Sequence, residues 1–533
     1  MQISSQRPAA FAPDEPKTAQ VSAERPSVTA KATAPTPTSE PDEAAKMVAH
    51  FLEEAEPFVQ KLRDKFGDGM AGGPGKKPLV VSDVSDAEGH QYVNLVQKGG
   101  GVLGIALVGY TYILEQAGIR FLRMAGTSAG AINTSLFTAI GDEKNPKAEA
   151  KSAKLLDCLA RLNMFTFVDG HPFAKWMIRN LISDKNFEKR MMRFLSSILI
   201  VLLLLFLSSI LLVGLELHAE VPIIPILTKL AFVLTGFALL IVIALSLHMS
   251  NMMTRLKNSG YGINPGNTFL AWIKEQLDAN GVSTIAALEK KASTLPPTLY
   301  LRTTNEPLDI TKIGSDVTFI TSELVTQNKI EFPKMWTLFR SPSDAASLHP
   351  GEFVRASMSI PFFFESYILS GINRDDIDIQ KEWKNLFGCE KEDIPENARF
   401  IDGGVLSNFP LNIFYNPTVS EARVPNFGID LNDSEPEENL GSLAASWSLG
   451  SYCSRMLNTI RFYYDKDFLI KNSVYKRGVG EVILYGPNKN YNWLDFFLSD
   501  QTKLDLFLDG ANAATEFLLN FDWEEYKTAR RGI

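Results

Sequence analysis

Ile119-Arg-Phe-Leu-Arg-Met-Ala-Gly-Thr-Ser-Ala-Gly-Ala-Ile-Asn-Thr-Ser-Leu-Phe-Thr-Ala-Ile140 is the stretch on which the fold turns. Ile119 to Met124 reads as a short apolar strand and Ala129 to Ile140 as an apolar helix. Between them stands Gly126-Thr-Ser-Ala-Gly130, a G-x-S-x-G motif. A serine on so sharp a strand-to-helix turn needs small residues on both sides, because the backbone approaches itself closely there. The helix that follows directs partial positive charge back toward Ser128. A five-residue match is weak by itself, and its strand–turn–helix setting gives it weight.

Upstream, Tyr92-Val-Asn-Leu-Val-Gln97 alternates like a strand and runs into Gly99-Gly-Gly-Val-Leu-Gly104. Gly104 to Ala117 reads as a helix with Gly118 as its stop. A glycine-rich turn at a helix start exposes backbone N–H groups that can hold an anion. The chain has no G-x-x-x-x-G-K-[ST] here, and beside an elbow serine the oxyanion of an acyl-transfer intermediate suits the loop better. Further strands are expected at Thr298–Arg302, Val317–Thr321, Arg399–Ile401 and Asn426–Leu431. Strands alternating with helices indicate an α/β fold whose mostly parallel central sheet is covered on both faces.

A serine nucleophile needs a base. Of six histidines, His50 and His90 lie in the leading segments and His171 follows a turn. His218 and His248 adjoin long apolar runs, and His349 sits in a Leu-His-Pro-Gly turn. A Ser-His-Asp triad is therefore poorly supported. Asp402 ends an apolar strand in Phe400-Ile-Asp-Gly-Gly404, and partial burial would raise its pKa and improve it as a base.

The ordered set Gly-Gly-Gly-x-x-Gly, Gly-Thr-Ser-Ala-Gly and Asp-Gly-Gly resembles the patatin-like phospholipases. Ala356-Ser-Met-Ser-Ile-Pro-Phe-Phe-Phe364 and Asn492-Trp-Leu-Asp-Phe-Phe-Leu-Ser499, with Gly510 beyond, extend the likeness over about residues 91–520. The resemblance implies a three-layer α/β/α hydrolase with a Ser-Asp dyad, Ser128 as nucleophile and Asp402 as its partner. It implies an oxyanion hole shaped by Gly99, Gly100 and Gly101 with the N–H of Ala129, and an elbow framed by Gly126 and Gly130. No metal or organic cofactor is implied. One departure is Leu103, where many members carry Arg or Lys.

A second departure spans residues 194–250. Phe194 to Leu215 is an apolar run of 22 residues, roughly 33 Å as a helix, and Leu230 to Leu247 adds 18 more. Glu216, His218, Glu220, two prolines and Lys229 lie between, as in a polar turn. The alternative, a buried hairpin in a soluble protein, is disfavoured because core helices seldom lack charges over such lengths. Lys185, Lys189, Arg190 and Arg193 before the pair, and Arg255 and Lys257 after it, place both flanks on one side, cytoplasmic by the positive-inside rule.

The 533 residues carry 53 basic and 61 acidic side chains, a net charge of −8 that argues against a nucleic-acid partner. Three scattered cysteines offer neither a disulfide framework nor metal spacing. Residues 1–45 read as a disordered leader, either a linker or a secretion address for an effector. Residues 46–90 read as an amphipathic helix with a flexible linker, 91–193 and 251–533 as two parts of one hydrolase domain, and 194–250 as its membrane hairpin. The expected activity is hydrolysis of phospholipid or lysophospholipid esters at a bilayer. An acyltransferase using the same dyad, and a membrane scaffold or pore protein with a dormant hydrolase fold, are the alternatives. Head group, activating protein and oligomeric state stay open.

Overall fold

A computed structural model of the chain describes residues 41–142, 144–172, 175, 187–218, 221–258, 260–416, 422–433, 449–487, 489 and 491–531. Most of the expected leader, and Lys185 in the basic flank, lie outside these residues. Helix α1 (Pro41–Phe66) starts before the expected boundary, so residues 41–45 are helical. It turns Phe51, Ala55, Val59 and Leu62 into the main core, the i, i+4, i+8, i+11 stripe of a docked helix. The glycine-rich segment after it closes a turn through reciprocal backbone bonds between Gly73 and Lys76.

Six strands organise the sheet: β1 (Gln91–Gln97), β2 (Ile119–Thr127), β3 (Val317–Glu323), β4 (Asn397–Asp402), β5 (Asn426–Asn432) and β6 (Val479–Ile483). Five of them, in the order β6-β5-β1-β2-β3, run parallel. The residues of β1, β2 and β3 at the sheet's centre are buried almost throughout, as two-sided coverage requires. The sheet is nonetheless mixed. Strand β4 joins β3 antiparallel, and Asn328–Phe332 and Tyr367–Ser370 add antiparallel pairings beyond. The strand expected over Thr298–Arg302 is reduced to Tyr300–Leu301.

Helices α2 (Ile105–Gln116), α3 (Ala129–Ala139) and α4 (Ser152–Ala160) pack around this sheet. Every residue of α2 from Ile105 to Glu115 is buried, so it behaves as a core helix.

The two apolar runs form helices α5 (Phe187–His218) and α6 (Ile224–Asn258). Ser196–His218 and Ile224–His248 are long and apolar enough to cross a membrane. Leu204, Phe206, Leu211, Val233, Phe237 and Leu240 are exposed on them, and Ser209 and Thr235 pair their hydroxyls across the hairpin at 3.0 Å. Lys229 belongs to α6 and not to the turn, since Pro225, harmless in a first helical turn, lets the helix start early. Asp169, ahead of the hairpin, accepts the N–H groups of Gly266 and Thr268 beyond it, both at 3.0 Å. Gly170 N–H donates to Asn264 Oδ1 at 3.0 Å. The chain thus leaves and re-enters the domain at one closed root, before α7 (Asn267–Ala279) begins.

Candidate active site

Ser128 joins β2 to α3 with φ 53° and ψ −117°, a left-handed φ that a non-glycine residue adopts only when its surroundings enforce it. The enforcement is visible. A Cβ on Gly126 would occupy the carbonyl of Gly130, and one on Gly130 would occupy the carbonyl of Gln97. Ser128 N–H donates to Ser357 Oγ at 3.0 Å, and that hydroxyl donates to Ile320 O at 2.6 Å. Ser357 comes from α8 (Gly351–Ser357), inside the Ala-Ser-Met-Ser segment.

The glycine loop is clamped by Asn408. Gly99 N–H donates to Asn408 O at 3.0 Å, and Asn408 Nδ2 returns a bond to Gly99 O at 3.1 Å. A Cβ on Gly99 would collide with Asn408 Oδ1 and press on Ser128 Cβ at 3.1 Å. Gly99 therefore shapes the loop by lacking a side chain, and its N–H is already engaged. The N–H groups of Gly100, Gly101 and Ala129 enter no hydrogen bond among the described residues. Gly101 holds φ 56° with the Trp493 carbonyl packed where a side chain would go. The loop also satisfies G-x-G-x-x-G through Gly99, Gly101 and Gly104, but β2 carries no carboxylate for a ribose, which the dinucleotide motif requires.

Sheet register brings Asp402 to this serine. Thr127 pairs with Ile320 of β3 and Asp402 with Thr321, so Ser128 and Asp402 emerge on either side of one central strand. Both are 6% exposed. Asp402 Oδ1 accepts Gly404 N–H at 2.7 Å, while Oδ2 is buried without a partner of normal hydrogen-bond geometry. Burial pushes the Asp402 carboxyl up to about 6, against the lowering pull of the Ser128 hydroxyl, the Gly404 N–H and Arg461.

Two cavities meet at Ser128. One is walled by apolar side chains including Ile132, Leu159, Phe167, Trp272, Met358 and Phe496. Phe167 and Trp272 stand immediately before and after the hairpin root. The other is a wider mouth lined by the glycine loop, Asp402, Lys98, Arg461 and Lys466. Ile360 borders both, whereas Phe363 and Phe364 pack in the core against Phe496. The apolar segment after Ser359 thus divides between lining and packing.

The remaining candidate base is occupied elsewhere. His349 Nδ1 accepts Gly351 N–H at 3.0 Å and its Nε2 lies 3.2 Å from Asp278. Among the described residues, no group of three or more His, Cys, Asp or Glu side chains could hold a metal. Sequence reasoning missed Asn408 and Asp465. Asp465, on α9 (Leu449–Lys471), accepts Ser407 Oγ at 2.7 Å and the N–H groups of Asn408 and Phe409 at 2.8 Å. No short motif marks either residue, since their importance comes from contacts across more than 50 positions.

Residues 95–415 match the family model described as patatin-like phospholipase. A sequence relative, the uncharacterized protein YqhO of Bacillus subtilis (strain 168), is 46% identical over 69 residues. That alignment covers 12% of this chain and 24% of YqhO. The crystal structure of VipD from Legionella pneumophila aligns with 84% of this chain and 72% of its own at 12% identity and a TM-score of 0.32. That likeness is too distant to bear on function.

Proposed function

Because the chain belongs to the patatin-like phospholipase family, we propose that it is a membrane-associated lipid acyl hydrolase acting on carboxylic esters of phospholipids or lysophospholipids. The observation that carries this reading is the meeting of the strained Ser128, the buried Asp402 and the unengaged N–H groups of Gly100, Gly101 and Ala129 at one point. Ser128 Oγ attacks the ester carbonyl as its proton passes to Asp402, and the three N–H groups receive the oxyanion. Collapse of the tetrahedral intermediate breaks the acyl–oxygen bond, and Asp402 returns the proton to the departing alcohol. Water then attacks the acyl-serine, giving one proton to Asp402. Release of the fatty acid restores the hydroxyl of Ser128.

The apolar cavity accepts the acyl chain in this reading. Its walls adjoin the hairpin root, so a chain drawn from a bilayer has a short path to Ser128. Helices α5 and α6 span the membrane, and the basic residues flanking them hold the domain on the cytoplasmic side. Detergent-purified protein should release fatty acid from mixed phospholipid vesicles, and Ser128→Ala and Asp402→Asn should each abolish release while circular dichroism stays unchanged. Release that persisted in a folded Ser128→Ala protein would overturn the assignment.

A further inference from the structure

Resting on that reading, we propose that Arg461, with Lys466 one turn and a half along α9, binds the phosphate of the lipid head group in the wider mouth. An ester carbonyl at Ser128 with its acyl chain in the apolar cavity leaves the wider mouth for the rest of the lipid, and a phospholipid carries its phosphate a few bonds from that carbonyl.

The mouth contains cations in two different states. Lys98 is engaged by Asp430 Oδ1 at 2.6 Å and Leu431 O at 2.8 Å. Leu103, where family members often carry a cation, is a buried apolar wall of the same mouth. Arg461 uses only its Nε, donating to Gly404 O at 2.7 Å, and neither Arg461 nor Lys466 forms an ion pair among the described residues. Both flank the ring of Phe462, with the Arg461 guanidinium 5.2 Å and the Lys466 ammonium 5.6 Å from its centre. The guanidinium Nη groups of Arg461 thus remain as a planar fork suited to two phosphate oxygens.

Their helix is held rigidly, since Asp465 binds it to residues 407–409 on its inner side. On its outer side Met456, Ile460 and Tyr463 follow i, i+4, i+7 spacing and are 46%, 65% and 66% exposed. An apolar outer stripe beside a phosphate site favours a phosphate presented by a lipid surface over one free in solution.

The test compares two esters with the same acyl chains, dioleoyl phosphatidylcholine and dioleoylglycerol, in vesicles of otherwise equal composition. Arg461→Gln should lower the ratio of kcat/KM for the phospholipid over the diacylglycerol about tenfold or more, and Arg461→Lys should recover most of it. An equal fall on both lipids, or a lysine variant as impaired as the glutamine one, would show that Arg461 acts only through Gly404 and Asp402 and overturn the proposal. Calorimetric titration of the Ser128→Ala protein with dihexanoyl phosphatidylcholine and with inorganic phosphate needs no turnover. A chain that hydrolyses nothing therefore fails the proposed function without deciding this one. Adding Arg461→Gln should weaken lipid binding about tenfold, and unchanged binding would refute the assignment. Inorganic phosphate binding as tightly as the lipid would refute the head-group source.

Discussion

In the proposed mechanism Asp402 meets two opposed demands, since it must be ionised to accept a proton and its surroundings disfavour charge. With its carboxyl raised to about 6, activity should climb as pH rises through that value and level off above it. A pH–rate profile of fatty-acid release checks this, and a limb near pH 4 would contradict the buried-base reading. The same displacement has a stability consequence of fixed sign. Between the ordinary carboxyl value of 3.8 and about 6 the folded chain holds a proton that the unfolded chain releases, so stability falls as pH rises through that window. Asp402→Asn should therefore be inactive yet more stable at pH 7, by up to about 3 kcal/mol, with the difference gone near pH 4. Denaturant titrations at the two pH values measure it. Gly99→Ala is the steric counterpart. Its Cβ meets Asn408 and Ser128, so we expect at least roughly a hundredfold loss of kcat, on the scale of losing an oxyanion donor, in a protein that still folds.

Elements, in this protein, are joined to the site by single polar anchors. Strand β4 sets Asp402 against Thr321, and α9 reaches the glycine loop through Asp465 and Asn408. Burial raises the Asp465 carboxyl, with the Ser407 hydroxyl and the N–H groups of Phe409 and Asn408 opposing it. Asp465→Asn replaces one acceptor oxygen by a donor facing N–H groups, and should lower kcat about tenfold or more with little change in KM. A KM-only effect would place Asp465 outside the chain of contacts that positions Gly99. The hairpin is the opposite kind of element. Because Asp169 and Gly170 are bonded to Asn264, Gly266 and Thr268, its root is closed without it. Replacing residues 176–258 by a short Gly-Ser linker should leave a folded domain that cleaves a water-soluble ester but no longer floats with vesicles. Undiminished flotation would show that other surfaces carry membrane binding.

At the scale of the whole molecule, α2 packs backbone to backbone against α10 (Asp500–Asn520). A Cβ on Gly109 would enter the Phe507 carbonyl, and one on Gly510 the Ala106 carbonyl. Backbone cannot yield as a side chain can, so Gly510→Leu should cost about 3 kcal/mol or more, read as a lowered denaturant midpoint. Gly510 stood in a family-like segment of the sequence, but what it touches is legible only in the folded chain. Local chemistry was legible without the fold. The Gly126–Gly130 elbow, the Gly99–Gly104 loop, Asp-Gly-Gly at 402–404, the parallel strands and the two apolar helices are each written in short windows, because propensity, turn strain and hydrophobic length act over a few neighbouring residues. The antiparallel turn of β4, the clamp of Asn408 on Gly99, the engaged N–H of Gly99, the raised carboxyl of Asp402 and the open fork of Arg461 could be read only from the tertiary structure. Each depends on which distant residues share a register, a hydrogen bond or a desolvated space, and burial and contact are properties of the folded chain that no local window contains.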